Sequence, residues 1–260
     1  MKLVQHAAED QLSMVPPPKV DSHVVPFVSA FLPWLYLAHH ADAKFIDRVL
    51  ALLAKSDGRD KACKIVQYFC KLAMAVHEPK YKPLVGVLAK QLSGTRRVLR
   101  IGKCLKVVGN TVDAWGEPVA WKRAAGLLGA GVSCAGDFGD DVCWASDMQL
   151  LPVWVSDCEV WIDRLWLVSI VCDVPLHMAD LLAARQALLA CDADTDETEV
   201  RRRRAKFFNL AVGQVKLIAD FFHASRKAMN WPTRSPVQDA VCGLVSASCA
   251  FVKLWGATAK

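Results

Sequence analysis

Apolar positions between residues 45 and 105 recur at helical spacing, not in alternation, and they mark out three successive helices. Phe45, Ile46, Val49, Leu50, Leu52 and Leu53 form the first stripe, which stops at Ser56, Asp57 and Gly58. Ser56 or Asp57 is placed to cap a second helix, and Asp60 suits its first turn, where a carboxylate favours the helix dipole. That helix carries Ile65, Tyr68, Phe69, Leu72 and Val76 on one face and ends at Pro79. A third helix is predicted over about residues 83–108. At about 100° per residue, Leu88, Leu92, Val98, Leu99, Ile101 and Leu105 share one broad face. Lys90, Arg96, Arg97, Arg100 and Lys103 fill the opposite arc, and Lys106 intrudes on the apolar side.

Charge gives this third helix its interest. Residues 79–112 hold eight Lys or Arg and no acid, so their charge exceeds the +6 of the whole chain. A basic amphipathic helix can lie in the interface of an anionic bilayer, with its apolar face in the acyl boundary and its cations at the headgroups. It can equally pack its apolar stripe on a protein core, and periodicity alone leaves both readings open. Nucleic-acid binding also uses basic stripes, but no zinc-finger, RNA-binding or basic-zipper pattern accompanies this one.

Beyond Pro118 the charge pattern inverts. Between Arg123 and Arg164 lie seven acids (Asp137, Asp140, Asp141, Asp147, Asp157, Glu159 and Asp163) and no base. Residues 124–136 are thirteen uncharged positions, with Gly131, Ala135 and Gly139 at four-residue intervals in and just after them. Small residues so spaced let membrane helices approach closely, which predicts self-association there. Thirteen residues span only about 20 Å at 1.5 Å each, short of a hydrocarbon core of roughly 30 Å. Trp154, Trp161 and Trp166 cluster near a further apolar run, residues 192–199 read as an acidic loop, and Arg201–Arg204 read as a headgroup-facing flank. The last apolar stretch, 240–252, ends in Lys253 and Trp255, which resemble an interfacial anchor. Strand signals are nearly absent.

Composition supports a membrane setting: 53% of the 260 residues are hydrophobic and the mean hydropathy is +0.22, high for a soluble enzyme. The expected fold is therefore all-α, a membrane-associated helical protein with a basic amphipathic helix and short membrane-embedded helices. Residues 1–43 form an extension of unread role, broken at Pro16–Pro18 and continuing into an uncharged run, 22–41. Residues 44–118 form the expected cytosolic helical region, and 119–260 a membrane-associated region with acidic loops. The opening residues lack the apolar core of a secretory signal, so any organelle targeting is expected to be internal. The ten cysteines show no CxxC pair or zinc-ligand spacing; they predict a reduced, cytosol-facing protein without metal.

Catalytic patterns do not assemble. Gly131-Val132-Ser133-Cys134-Ala135 approaches a nucleophile elbow, but helical sequence lies on both sides where a strand is required before it. Gly126 to Gly131 lacks the order and context of a dinucleotide fingerprint. His39-His40, and His177 with Asp180, have no third partner at useful spacing. The expectation is a protein without enzymatic activity or cofactor.

Three stretches carry a family resemblance. Gly58-Arg59-Asp60-Lys61 leading into Gln67-Tyr68 is similar to a signature of the peroxisomal biogenesis factor 11 (peroxin-11) family. Lys90 to Lys103, with its Arg97-x-x-Arg100-x-Gly102-Lys103 core, resembles that family's amphipathic segment, and Asp163 to Leu167 and Gly243 to Trp255 resemble its later landmarks. The resemblance covers about residues 45–255. It implies a peroxisomal or glycosomal membrane protein whose amphipathic helix enters the cytosolic leaflet, elongates the membrane and promotes fission. The implied partners are an anionic phospholipid membrane, further copies of the chain, the fission machinery and the peroxisomal membrane-protein import receptor, with no nucleic acid. On this reading Lys90, Arg96, Arg97, Arg100 and Lys103 meet headgroups, and Leu88, Leu92, Val98, Leu99, Ile101 and Leu105 enter the acyl boundary. A metabolite channel and a soluble helical adaptor are the competing readings.

Overall fold

A computed structural model describes residues 43–76, 82–191, 196–229 and 235–257. The proline break at Pro16–Pro18 and the uncharged run 22–41 lie outside the described residues. Two compact units divide the chain, 1–49 and 50–260, and of the first only the start of helix α1 (Ala43–Ala54) is described. The helices that follow are α2 (Ser56–Val76), α3 (Lys82–Arg100), α4 (Val107–Trp115), α5 (Ala120–Asp147), α6 (Glu159–Leu189), α7 (Glu197–Ala228) and α8 (Pro236–Ala257). Short 3-10 turns cover Lys103–Lys106 and Val153–Cys158. No strand occurs among the described residues.

The second unit is a circuit of helices. α2 packs between α3 and α8, α8 meets α7, α7 meets α6 and α6 meets α5. α4 and the turn before it lie along α5, and α3 closes the circuit through much lighter contact with α5. α2 runs against α8, so residues 50–118 of the expected cytosolic region pack in the same unit as residues 119–260.

Side-chain size shows what surrounds that body. The buried helix contacts are made largely by small residues, including Ala130, Ala184, Ala219, Ala224, Ala247, Gly129, Gly136 and Ser246. Large apolar side chains point outward instead: Leu128 and Phe138 from α5, Val168 and Val171 from α6, Phe208 and Phe222 from α7, Val241 and Val245 from α8. A water-soluble core buries its Leu, Ile, Val and Phe, whereas membrane bundles pack through small residues and leave the large ones to lipid. α6 and α8 are long and apolar enough to cross a bilayer, and only 22% and 28% of their apolar windows are buried within the protein. At 1.5 Å per residue they reach about 46 and 33 Å, so neither is one of the short embedded helices that the sequence predicted.

Three further expectations change. The third helix does not run unbroken to 108: α3 stops at Arg100, and Gly102 adopts φ 73°, a left-handed conformation that glycine enters without a Cβ penalty. Ser56 is already the first residue of α2 and so does not stand at its N-cap; its hydroxyl donates to the Leu99 carbonyl oxygen (2.7 Å) and ties the start of α2 to the end of α3. α5 runs for 28 residues through Asp137, Asp140, Asp141 and Asp147; cations of α3 and the following turn pair with Asp137, Asp140 and Asp147, and Asp141 accepts from the Gly102 amide. Of the acidic loop at 192–199, residues 192–195 lie outside the described residues, and Glu197 and Glu199 already belong to α7.

Candidate functional site

The basic arc of α3 turns inward. Arg96, the most enclosed of its cations, donates from Nε to Asp60 Oδ1 (2.9 Å) and from Nη1 to Gln67 Oε1 (2.6 Å). Burial alone would raise the Asp60 carboxyl, but the Lys61 and Arg96 cations beside it hold it below the usual carboxylate range. Arg97 reaches Glu159 (2.8 Å), Asp140 (3.8 Å) and Asp147. Arg100 pairs with Asp140 (2.9 Å) and Lys103 with Asp137 (3.0 Å). The amide of Gly102, freed from the helical ladder by the left-handed turn, donates to Asp141 (3.0 Å). Lys90 is exposed and makes no ion pair among the described residues.

Two kinds of electrostatics meet here. The Arg96–Asp60 pair is nearly closed to water, with side chains 11% and 1% exposed, and removing one partner of such a pair costs about 3–5 kcal/mol. Arg97, Arg100 and Lys103 keep partial access to solvent, and a solvated pair of that kind contributes only about 0–1 kcal/mol. An anionic headgroup attracts a nearby cation by about 1 kcal/mol. Exchange of carboxylate partners for lipid phosphates is therefore close to balanced for these three, and strongly opposed for Arg96.

With its cations turned in, α3 shows apolar residues outward. Leu84, Val87, Val98 and Ile101 have about half or more of their surface open, and Leu105 on the following turn has more. Leu88, Leu92 and Leu99, which the sequence put on the same face, are half-buried. The outward row is thus made of positions 84, 87, 98, 101 and 105. The break at Gly102 and the packing of α3 on α2 rotate it away from the simple helical wheel.

The inner faces of α2, α3, α5, α6, α7 and α8 line a half-open cavity of about 810 Å³. Its wall is divided by charge. The lining residues from α2, α3 and the turn after it include seven cations and no carboxylate, while those from α5 to α8 include seven carboxylates and two lysines. Lys64 donates to Ser246 Oγ (2.8 Å) and lies 3.6 Å from Asp220, which also accepts from Lys216 (2.8 Å). Burial pushes the Lys64 amine down to about 8. It would raise the Asp220 carboxyl, but Lys64 and Lys216 hold that group below its ordinary value. Tyr68 Oη and His223 Nε2 are 3.0 Å apart, and the Lys71 amine sits 4.8 Å from the centre of the tyrosine ring. Burial raises the Tyr68 hydroxyl and pushes the His223 imidazole down to about 4, so the histidine is neutral near pH 7. This is a polar, internally compensated interior, with the chemistry to hold water and small charged solutes.

Other sequence candidates separate. Ser133 sits within α5, with helix on both sides. His177 bonds Gln214 (3.1 Å) and Asp180 pairs with Lys122 (3.0 Å), so the two do not act together. Gly131 and Ala135 are exposed, and a Cβ on Gly131 would meet nothing within 4 Å. Gly139 faces inward, where a Cβ would lie 2.9 Å from Ile162 of α6. Sequence reasoning passed over Lys64, Asp220 and His223. The available signal was the spacing of Lys61, Lys64 and Lys71, a basic stripe that borders the apolar face of the helix, with Tyr68 at the boundary.

The sequence model of the family described as Peroxisomal biogenesis factor 11 (PEX11) matches residues 46–255, most of the chain. Neither a curated protein nor a solved structure matches it.

Proposed function

The chain belongs to the peroxisomal biogenesis factor 11 family, and on that premise we propose that it remodels the peroxisomal or glycosomal membrane by seating α3 in the cytosolic leaflet. The observation that carries the reading is the open apolar row of Leu84, Val87 and Val98 on α3, continued by Ile101 and Leu105 past its end, on a segment whose other face is cationic. Full burial of a large aliphatic side chain contributes roughly 1.5–3 kcal/mol. Five half-open ones therefore supply several kcal/mol, enough for reversible insertion. Wedging apolar volume into one leaflet expands it relative to the other and favours curvature. α6 and α8 anchor the chain, and Lys90, Arg97, Arg100 and Lys103 supply headgroup contacts. Self-association through the α5 face around Gly131 and Ala135 concentrates the wedges, and the fission machinery and the membrane-protein import receptor act on the assembled protein.

The test is liposome elongation by the reconstituted full chain. Val98→Glu with Ile101→Glu should leave the fold intact, because both side chains are open, and should abolish tubulation, because a carboxylate resists the acyl boundary. Tubulation equal to that of the parent overturns the wedge mechanism.

A second reading, passage of small solutes through the protein, is favoured by one observation, the charged cavity of about 810 Å³. Conductance of the purified chain in planar bilayers tests it. Neutralising Lys64 together with Asp220 should alter ion selectivity, and a silent bilayer overturns it.

A further inference from the structure

We propose that the carboxylates of α5, with Glu159, form an intramolecular clasp that occupies the basic arc of α3 in place of lipid phosphates, and that an anionic membrane surface releases it. The inference rests on the reading of α3 as a leaflet-seated helix and concerns its regulation.

The cations needed at the headgroups are already engaged. Arg97 holds Glu159, Asp140 and Asp147, Arg100 shares Asp140, and Lys103 holds Asp137. These pairs draw α3 and its following turn onto α5 and the start of α6, in the seam where α3 and α5 otherwise touch lightly. Carboxylate oxygens and phosphate oxygens accept from guanidinium in the same forked geometry, so one can replace the other without new chemistry. The seam pairs are partly open to solvent, and a lipid surface can therefore compete for them. Arg96 is excluded from the exchange: its partner Asp60 lies on α2, inside the hairpin, and keeps α3 attached to α2 whatever happens at the seam. Gly102 stands between α3 and the turn that packs on α5, at a left-handed position where the chain can change direction. The device is bistable in the sense that a ligand must supply differential affinity: headgroups bind four cations of the released arc and meet only Lys90 unpaired in the clasped one. Membrane activity then depends on the anionic lipid content of the surface, and the acids of α5 set the threshold.

The experiment uses the full chain reconstituted into vesicles of phosphatidylcholine alone and of phosphatidylcholine with phosphatidylserine. A carbodiimide couples a lysine amine to a carboxylate only where the two are in contact, so the Lys103–Asp137 crosslink, read by mass spectrometry, reports the clasp. The Lys216–Asp220 pair, 2.8 Å apart and both within α7, is the internal control. Photoreactive phosphatidylserine labelling of residues 82–106 reports lipid contact. The expected result is a severalfold loss of the Lys103–Asp137 crosslink in phosphatidylserine vesicles, with the control unchanged. Asp140→Asn with Asp147→Asn should raise lipid labelling severalfold and permit tubulation at a lower phosphatidylserine fraction. If α3 is lipid-labelled while the crosslink is the same in both vesicles and the double variant behaves as the parent, the clasp is overturned and leaflet insertion stands. If α3 is unlabelled in every vesicle and variant, insertion itself is overturned and the clasp with it. The comparison between vesicles needs no substitution, so a misfolded variant does not decide the question.

Discussion

Arg96 and Asp60 are joined at 2.9 Å across the α2–α3 hairpin, with Gln67 on the same guanidinium. The pair unites two of the stretches that carry the family resemblance, the Gly58 to Tyr68 signature and the basic segment, and holds the hairpin shut. Arg96→Gln leaves the 1% exposed Asp60 carboxylate short of a partner. It should lower stability by about 3–5 kcal/mol, measured as thermal unfolding of the detergent-solubilised chain through tryptophan fluorescence. Arg97→Gln, whose partners are more open, should cost about 1 kcal/mol or less. Equal losses for the two would show that Arg96 is no anchor.

Tyr68 and Gly243 bring α2 and α8 into contact so close that a Cβ on the glycine would stand 2.0 Å from the tyrosine ring. Gly243→Ala should therefore separate the helices and cost about 1–3 kcal/mol, the usual range for overpacking. Tyr68→Phe keeps the ring and loses the bond to His223, a smaller loss of about 1 kcal/mol. Combining Gly243→Ala with Tyr68→Ala should recover part of the loss, since the clash is between those two groups. Additive losses in the double variant would place the damage elsewhere.

His223 couples stability to acid. Its imidazole is pushed down to about 4 by burial against an ordinary 6.5. The unfolded chain takes up a proton near 6.5, and the folded one only near 4. The stability that depends on neutral His223 is thus fully present above pH 6.5 and is lost as pH falls toward 4, a change on the order of 3 kcal/mol. Unfolding temperatures measured from pH 7 to 4 should fall more steeply for the parent than for His223→Gln. Matching slopes would show that other groups carry the acid response.

Much of the fold was legible because local signals agreed. The stripe 45–53, the break at Ser56 to Gly58 and Pro79 locate α1 and α2, and eight cations without an acid single out α3. The cavity was not legible, because it exists only where helices distant in sequence converge: Tyr68 meets His223 across 155 residues and Lys64 meets Ser246 across 182. The partners of the α5 acids were not legible for a related reason. Asp137, Asp140 and Asp147 show only as an excess of acid until their partner cations, 34 to 50 residues earlier, are brought against them. The helical wheel of the basic segment failed locally, since it assumed one axis through Gly102, where the backbone turns left-handed.

Gly131, Ala135 and Gly139 share a four-residue spacing in the sequence but not a role in the fold. Gly131 and Ala135 face outward beside Leu128 and Phe138, whereas Gly139 is turned toward Ile162 of α6. Small residues on an outer face allow a second helix to approach closely, so Gly131→Leu with Ala135→Leu should reduce crosslinked oligomers in native membranes and leave the unfolding temperature of the solubilised chain unchanged. Gly139→Leu should do the reverse. Its side chain must displace Ile162, which lowers the unfolding temperature through overpacking, while oligomers form as in the parent at temperatures where the variant stays folded. Oligomers that persist unaltered in the Gly131 and Ala135 variant would reject this face as the contact between copies.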